Sequence, residues 1–279
     1  MIRALVHLIP KRGNEVSTAA SSRPIGLLPM SRRLFQSIFV RRLSPSHHWA
    51  ALHPVQAGFR RGWSCQSALL LNHKAAHGKR EITSFLDFLN AVPSLNATVV
   101  WRALDERTAP LDTRRLIWGL SVHGAPAALV FNVMLCDAIA FHRGLTQGSV
   151  ISPALFNLVI DALLRLLNRG LAPAHSRTAF FADDGALLAA FAAEAQHVLD
   201  AVVAWSTEHG MRLNPRKCEL MARDAVRVFL YGDEVPQVTS YKYLGIERDV
   251  GGLDIVAYLD RIHTSTRRVF AFLCAVGST

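Results

Sequence analysis

Phe181, Ala182, Asp183 and Asp184 lie between two apolar runs, Thr178 to Phe181 and Ala186 to Ala190. Two runs of β-prone or apolar residues around a short polar turn with a glycine predict strand, turn, strand, with both acidic side chains presented together at one sheet edge. Neighbouring carboxylates repel unless a cation is present. Oxygen ligands of this kind suit Mg²⁺, which keeps several waters and is usually held by one or two carboxylates plus substrate phosphates. An ordinary solvated Asp-Asp-Gly turn meets the same local pattern, so the rest of the chain decides between them.

With 279 residues, 51% of them apolar, the chain can bury a substantial core and is not disordered. Cys65, Cys136, Cys218 and Cys274 are far apart, with no Cys-x-x-Cys pair and no secretory signal. Neither a disulfide framework nor a zinc site is suggested, and a reducing compartment is expected. The longest uncharged stretch, Leu116 to Cys136, is broken by His123, Gly124, Pro126 and Asn132, which predicts buried core rather than a membrane span.

The formal charge of +10 is unevenly placed: residues 1–80 hold thirteen Lys or Arg against the single acid Glu15. Such asymmetry is the footprint of a surface that meets phosphates, and an Arg-rich genome would give the same count. Ser31 to Leu43 is basic and amphipathic, with Leu34, Phe35, Ile38, Phe39 and Leu43 on one face and Arg32, Arg33, Gln36 and Arg42 on the other. That pattern fits a docked surface helix or an organellar transit segment.

Ser17 to Ser22 reads as a short loop, and Ile82 to Phe88 as a strand enclosing one acid, Asp87. Ser152 as N-cap and Pro153 behind it open a helix with apolar Leu155, Phe156, Val159, Ile160, Leu163 and Leu167, stopped by Gly170. A second helix is expected from Ala192 to His209, before Gly210. Short strands follow at Met211 to Leu213, Cys218 to Met221 and Val226 to Tyr231. Strands and helices mingle without strict βαβ alternation, which favours an α+β layer on a mainly antiparallel sheet.

Seven blocks stand in order: Arg23-Pro24-Ile25, Gln56-Ala57-Gly58-Phe59-Arg60, Leu86-Asp87-Phe88, Gly144 to Ser149, the paired aspartates, Leu213-Asn214-Pro215 and Tyr243-Leu244-Gly245-Ile246. In this order they resemble the reverse transcriptases of non-LTR retrotransposons, from about His7 to about Ile246. The resemblance implies a right-hand polymerase fold of class α+β: fingers at 1–80, palm at 81–125, a fingers–palm connection at 126–150, palm again at 151–246, and the start of a truncated thumb at 247–279. It implies RNA-directed DNA synthesis from deoxynucleoside triphosphates on a primed RNA template, with two Mg²⁺ ions, Mn²⁺ substituting, and no membrane. A nuclear or cytoplasmic ribonucleoprotein location follows from the resemblance alone.

Residue by residue, the same resemblance makes Asp87 and Asp183 the principal metal ligands, with Asp184 ligating less directly and the Phe88 carbonyl completing one shell. Lys11 and Arg23 would grip the triphosphate, and Asn90, Ala91, Val92, Gln147 and Gly148 would meet the incoming nucleotide or template. Lys217 would be the general acid for departing pyrophosphate, and Tyr243, Leu244 and Gly245 the primer-holding turn. Surface cations, a glycine turn before a capped helix and a plain hairpin are the structural counterparts of these assignments.

The chain departs from the family where Ala, an aromatic residue and Asp are usual after the first aspartate: here Ala91, Val92 and Pro93 follow. The missing aromatic predicts weakened exclusion of ribonucleotides, and Pro93 removes a backbone donor. Thr146 replaces a more usual Pro or Arg. The chain starts at the fingers without an upstream endonuclease, and Asp260 to Cys274, with Arg261, Arg267 and Arg268, would be the first thumb helix. A group II intron-type reverse transcriptase and a catalytically inactive remnant that still binds nucleic acid are the alternatives.

Overall fold

The computed structural model describes residues 5–10, 22–43, 51–69, 82–121, 127–131, 134–139, 144–171, 177–250 and 252–253, and beyond these 256, 259–260, 262–264 and 266–267. β1 (Leu5–Pro10) pairs antiparallel with β2 (Ser22–Leu27) and parallel with β4 (Ala127–Phe131), which pairs antiparallel with β5 (Met134–Ile139). Ser22 thus belongs to β2, while Lys11 and the loop expected at 17–21 lie outside the described residues.

Helix α1 (Met30–Leu43) forms where expected, but only Phe39 and Leu43 of its expected apolar face turn inward, beside Gln36 from the polar face. Gln36 is fully buried, whereas Leu34, Phe35 and Ile38 are exposed. The reason is hydrogen bonding: Gln36 Nε2 donates to the Leu120 carbonyl at 3.1 Å, and its Oε1 accepts from the Ser149 hydroxyl at 3.1 Å and the Val150 amide at 3.2 Å. Arg32 donates to the same Leu120 carbonyl at 2.6 Å. A polar group with its bonds met is tolerated inside, and here Phe39, Val40 and Leu43 pack on the core beside it.

The second sheet holds β3 (Ile82–Leu86), β6 (Thr178–Phe181), β7 (Asp184–Ala189) and β8 (Glu219–Met221) in the order β6-β7-β3-β8, antiparallel throughout. Every residue of β3 is buried, as for a strand covered on both faces. One face, with Ile82, Leu86, Phe180 and Leu187, packs on α5 (Ser152–Leu167) and α6 (Ala192–Glu208). The other, with Phe85, Ala186 and Met221, is covered by Tyr243 and Ile246 from a small sheet of β11 (Ser240–Tyr243), β12 (Ile246–Asp249) and β13 (Gly252–Leu253). Alternation along β3 therefore separates a helix-backed core from the face beneath the acidic turn.

Several local expectations change. Ile151, not Ser152, is the N-cap of α5; Ser152 is the first helical residue, and its buried Oγ has no partner. α6 ends one residue before His209, and Gly210 at φ +76° closes it as expected. The strand expected at Met211 to Leu213 shrinks to a bridge between Leu213 and Phe88. Val226 to Tyr231 narrows to β9 (Phe229–Leu230), paired with β10 (Asp233–Glu234) across Tyr231 and Gly232, both at positive φ.

Within the apolar stretch from Leu116, α4 (Leu111–Ser121), which follows α3 (Ala97–Glu106), buries Ile117 but exposes Leu116 at 39%. The side chains of residues 121–136 lie outside the described ones. Among the described residues no helix is long and apolar enough to cross a membrane. The described residues between 256 and 267 are helical, while Arg261, Arg268 and the rest to Cys274 lie outside the description.

Candidate active site

Antiparallel register brings the acids together. Leu86 pairs with Gly185 at the end of the β3–β7 ladder, so Asp87 and Asp184 adjoin the same pair and feel each other's charge. On the other side Phe181 pairs with Asp184, which leaves Ala182 and Asp183 as a two-residue turn, Ala182 at φ +57°. Gly185 has no room for a side chain, because a Cβ there would stand 2.5 Å from the Phe180 ring. Beneath the turn the buried Tyr243 hydroxyl lies 3.2 Å from the carbonyls of Ala179 and Asp184 and donates to them.

Asp87 has its own supports. Lys217 Nζ stands 3.6 Å from Asp87 Oδ2, Asn214 Nδ2 donates to that oxygen at 3.3 Å, and the Asn214 amide donates to the Asp87 carbonyl at 2.8 Å. The bridge to Leu213 uses the Asp87 carbonyl and the Leu89 amide, not the Phe88 carbonyl.

Electrostatically the three acids form one group. Burial pushes the Asp184 carboxyl up to about 6, Asp183 and Asp87 add repulsion, and Lys217 opposes the rise. Asp184 still reaches water, so burial here means the apolar bulk packed around its base. Asp183 is raised as well, by burial first and then by Asp87, against its own backbone hydrogen bond, Arg23 and Lys217. Arg23 and Lys217 are thus the cations this turn feels.

The sign of the pH dependence follows. A carboxyl raised in the folded state holds its proton there more tightly than in the unfolded chain, so metal-free stability falls as pH rises from the ordinary 3.8 to about 6. Asp184→Asn removes that contribution. Melting the variant and the wild type in parallel is expected to show the variant gaining on the wild type across that window. A constant gap between the two would contradict the shift.

Among the described residues no group of three or more His, Cys, Asp or Glu converges tightly enough to hold a metal ion by itself. The donors nevertheless fit a hard divalent cation: all are carboxylate oxygens whose mutual repulsion such an ion relieves, and a Mg²⁺-type site takes waters and substrate phosphates as its remaining ligands. No thiolate or imidazole competes among them; Cys218, buried next to the Asp87 carbonyl, has its thiol pushed up to about 11 by burial.

Of the remaining expected residues Tyr243 meets this turn, Asn90, Ala91 and Val92 follow Asp87 along the chain, and Gln147 and Gly148 meet β2. Asn90 is left-handed at φ 48° and starts α2 (Ala91–Ser94); Ala91 is buried, and Val92 packs partly on the core while its carbonyl accepts from the Leu145 amide at 3.0 Å. Gly144 fits only because a Cβ would stand 2.2 Å from the Pro93 carbonyl oxygen. Gly148, at φ +96°, makes its close approach to the Gly26 carbonyl of β2, where a Cβ would stand at 2.4 Å. The Gly26 amide in turn donates to the Gln147 carbonyl at 2.6 Å, and Gln147 Oε1 is buried without a partner. Tyr243, first of the three residues expected to hold primer, is buried beneath the acidic turn; Leu244 and Gly245 form the β11–β12 turn, with open space beside Gly245. Lys11 lies outside the described residues. Sequence reasoning gave no role to Gln56, which touches the acidic turn, or to Asn214; their only signal was membership of the ordered blocks.

Comparison with known proteins identifies the family and the fold. A family model described as reverse transcriptase (RNA-dependent DNA polymerase) matches residues 9–248. The Retrovirus-related Pol polyprotein from a type-2 retrotransposable element of Drosophila melanogaster is 28% identical over 247 residues, covering 80% of this chain and 23% of that protein. A putative 115 kDa protein in a type-1 retrotransposable element of the same organism is 26% identical over 260 residues, covering 87% of this chain and 24% of that protein. The chain thus spans about a quarter of these relatives' length. Among solved structures, apo telomerase from Candida tropicalis superposes with a TM-score of 0.61 at 10% identity, over 90% of this chain and 48% of that one. An RNA-dependent RNA polymerase of a human picorbirnavirus, an insertion-loop deletion mutant, gives 0.52 at 14% identity, over 88% and 45%. At such identities the likeness is one of fold, and that fold is the right-hand polymerase.

Proposed function

Because the chain belongs to the reverse transcriptase (RNA-dependent DNA polymerase) family, we propose that it extends a DNA primer on an RNA template, using deoxynucleoside triphosphates, as the polymerase domain of a non-LTR retrotransposon protein. The observation behind this reading is the placing of Asp87, Asp183 and Asp184 at one sheet edge with Lys217 and Arg23 as the cations they feel. The relatives named above are proteins of retrotransposable elements, which favours this reading over a group II intron-type enzyme.

Two Mg²⁺ ions, or Mn²⁺ in their place, held by Asp87 and Asp183 with the Phe88 carbonyl and Asp184 beside them, would supply charge stabilisation for the attacking and leaving oxygens. The primer 3′ oxygen attacks the α-phosphorus, and the bond to the bridging oxygen breaks to release pyrophosphate. Lys217, 3.6 Å from Asp87 Oδ2, would be the group that gives the leaving pyrophosphate a proton. Arg23, with Lys11, would neutralise the triphosphate. Gln147 and Gly148 would line the nucleotide and template side with Asn90, Ala91 and Val92, and Leu244 and Gly245 would face the primer. The basic residues of 1–80 would attract template phosphates.

Purified protein with a primed homopolymeric RNA, the complementary deoxynucleotide and Mg²⁺ is expected to lengthen the primer, and the Asp183→Ala, Asp184→Ala double variant is not. Folded protein that binds primed template without extending it would overturn the proposal in favour of an inactive remnant. In the same assay matched ribonucleotides are expected to be incorporated too, since Val92 is short and partly packed on the core. Strict rejection of them would refute that consequence.

A further inference from the structure

We propose that Gln56 is a positioning residue for the acidic turn: its side-chain amide brackets the Ala182 peptide on both sides and so sets the direction of Asp183. The inference rests on the polymerase reading for its meaning, but not for its test.

Gln56 is fully buried. Its Oε1 accepts from the Ala182 amide at 2.9 Å and from the Gly58 amide at 2.9 Å, while its Nε2 donates to the Ala182 carbonyl at 3.2 Å. One side chain therefore meets both polar groups of a residue held in the left-handed region at φ +57°, where an L-residue other than glycine needs support. Asp183 is the next residue along, so the tilt of the Ala182 backbone sets where its carboxylate points.

The backbone carrying Gln56 is itself fixed. The Phe180 amide donates to the Val55 carbonyl at 3.0 Å and the Ala57 amide to the Phe180 carbonyl at 2.9 Å, which lays residues 55–57 parallel to β6. Asn157 of α5 donates to the Gly58 carbonyl at 2.7 Å, and Arg60 Nη1 to the Gln56 carbonyl at 2.9 Å. Gly58 lets the two segments touch, because a Cβ there would stand 2.2 Å from the Ala182 nitrogen. Only an amide serves at position 56: a carboxylate accepts but cannot donate to the Ala182 carbonyl, and a thioether of the same length does neither well.

The test uses the full chain and Mn²⁺ alone as probe, followed by electron paramagnetic resonance of the free ion, with primer extension and melting measured on the same preparations. Partners that orient metal ligands are worth about 10- to 100-fold in metal affinity or activity. Gln56→Met is expected to weaken Mn²⁺ binding by that factor and to lower kcat while KM for the deoxynucleotide stays unchanged. Gln56→Glu, which keeps the acceptor, is expected to fall between Met and wild type and serves alone if the Met variant does not fold. A purely structural role would lower the melting temperature and leave the Mn²⁺ affinity of the folded fraction where it was, and that result overturns the proposal. So does a wild-type titration that Asp183→Asn leaves unchanged. Wild-type protein that binds Mn²⁺ through Asp183 but extends no primer would instead sink the polymerase reading and leave the Gln56 result standing.

Discussion

Asp183→Asn is expected to cut primer extension by about 10³-fold or more while leaving the metal-free protein as stable as wild type, or more so, at neutral pH. The size follows from metal-ion catalysis, worth several kcal/mol of transition-state charge stabilisation; at 1.36 kcal/mol per tenfold, about 4 kcal/mol is about 10³. The direction on stability follows from the site. Asp183 is raised by burial and by Asp87, so its ionised form is a cost to the fold, and asparagine keeps the shape without the charge. Active sites often hold groups that stability alone would not select. Asp87→Asn is a useful contrast: it also removes a proposed ligand, but gives up the 3.6 Å ion pair with Lys217, a partly exposed pair worth about 1 kcal/mol at most. Extension rates and melts of both variants check the pair of claims. Asp183→Asn protein that still extends at the wild-type rate would remove Asp183 from the metal site, and loss of extension together with loss of fold would mark it as structural.

What could be read in the chain and what could not divides by the sequence distance of the partners. The acidic hairpin was legible because strand period, turn length and the paired aspartates are all local, and the structure repeats them at Thr178–Phe181 and Asp184–Ala189. The α+β class was legible for the same reason. The inward face of α1 was not: Gln36 is buried because its acceptor and donors lie 84, 113 and 114 residues away, and an amphipathic plot weighs only the polarity of a side chain, not whether its bonds are met elsewhere. Ser152 failed as a cap because the residue before it already adopts helical angles. Tyr243 is legible only as part of the expected primer-holding turn, because the carbonyl its hydroxyl meets beneath Asp184 lies 59 residues away. Gln56 was visible as part of a block but its partner, Ala182, is 126 residues on. For Gln36, Tyr243 and Gln56 tertiary hydrogen bonding overrode a local pattern.

Asp161 gives the second large effect: Asp161→Ala is expected to destabilise the protein by about 3 kcal/mol, toward the lower end of the 3–5 kcal/mol typical of a broken buried ion pair. The carboxylate sits on α5 among apolar residues, with its side chain 1% exposed. One oxygen accepts from the His53 amide, and the other is shared by Arg107 and by Arg165 Nε at 2.6 Å. Removing it strands the His53 amide and leaves the Arg107 side chain, only 15% exposed, without this counter-charge. A neighbouring cavity of about 340 Å³, lined by Ala103, Arg107, Leu158 and Arg165 among others, lets water reach the stranded guanidinium, which is why the lower end applies. For a chain of this size 1 kcal/mol moves the melting temperature by about 2–4 °C, so a fall of roughly 10 °C is expected. His53 lies three residues before Gln56, and the Gln56 amide donates to the His53 carbonyl at 3.1 Å. Loosening this anchor should therefore slow extension more than the loss of folded protein explains. Asp161→Asn, which can still accept from His53 while losing the charge, separates the two contributions: it should melt early but keep the extension rate of its folded fraction. Equal extension defects in the Ala and Asn variants would break the proposed link from α5 through His53 to the acidic turn, and an unchanged melting temperature in Asp161→Ala would refute the ion-pair estimate itself.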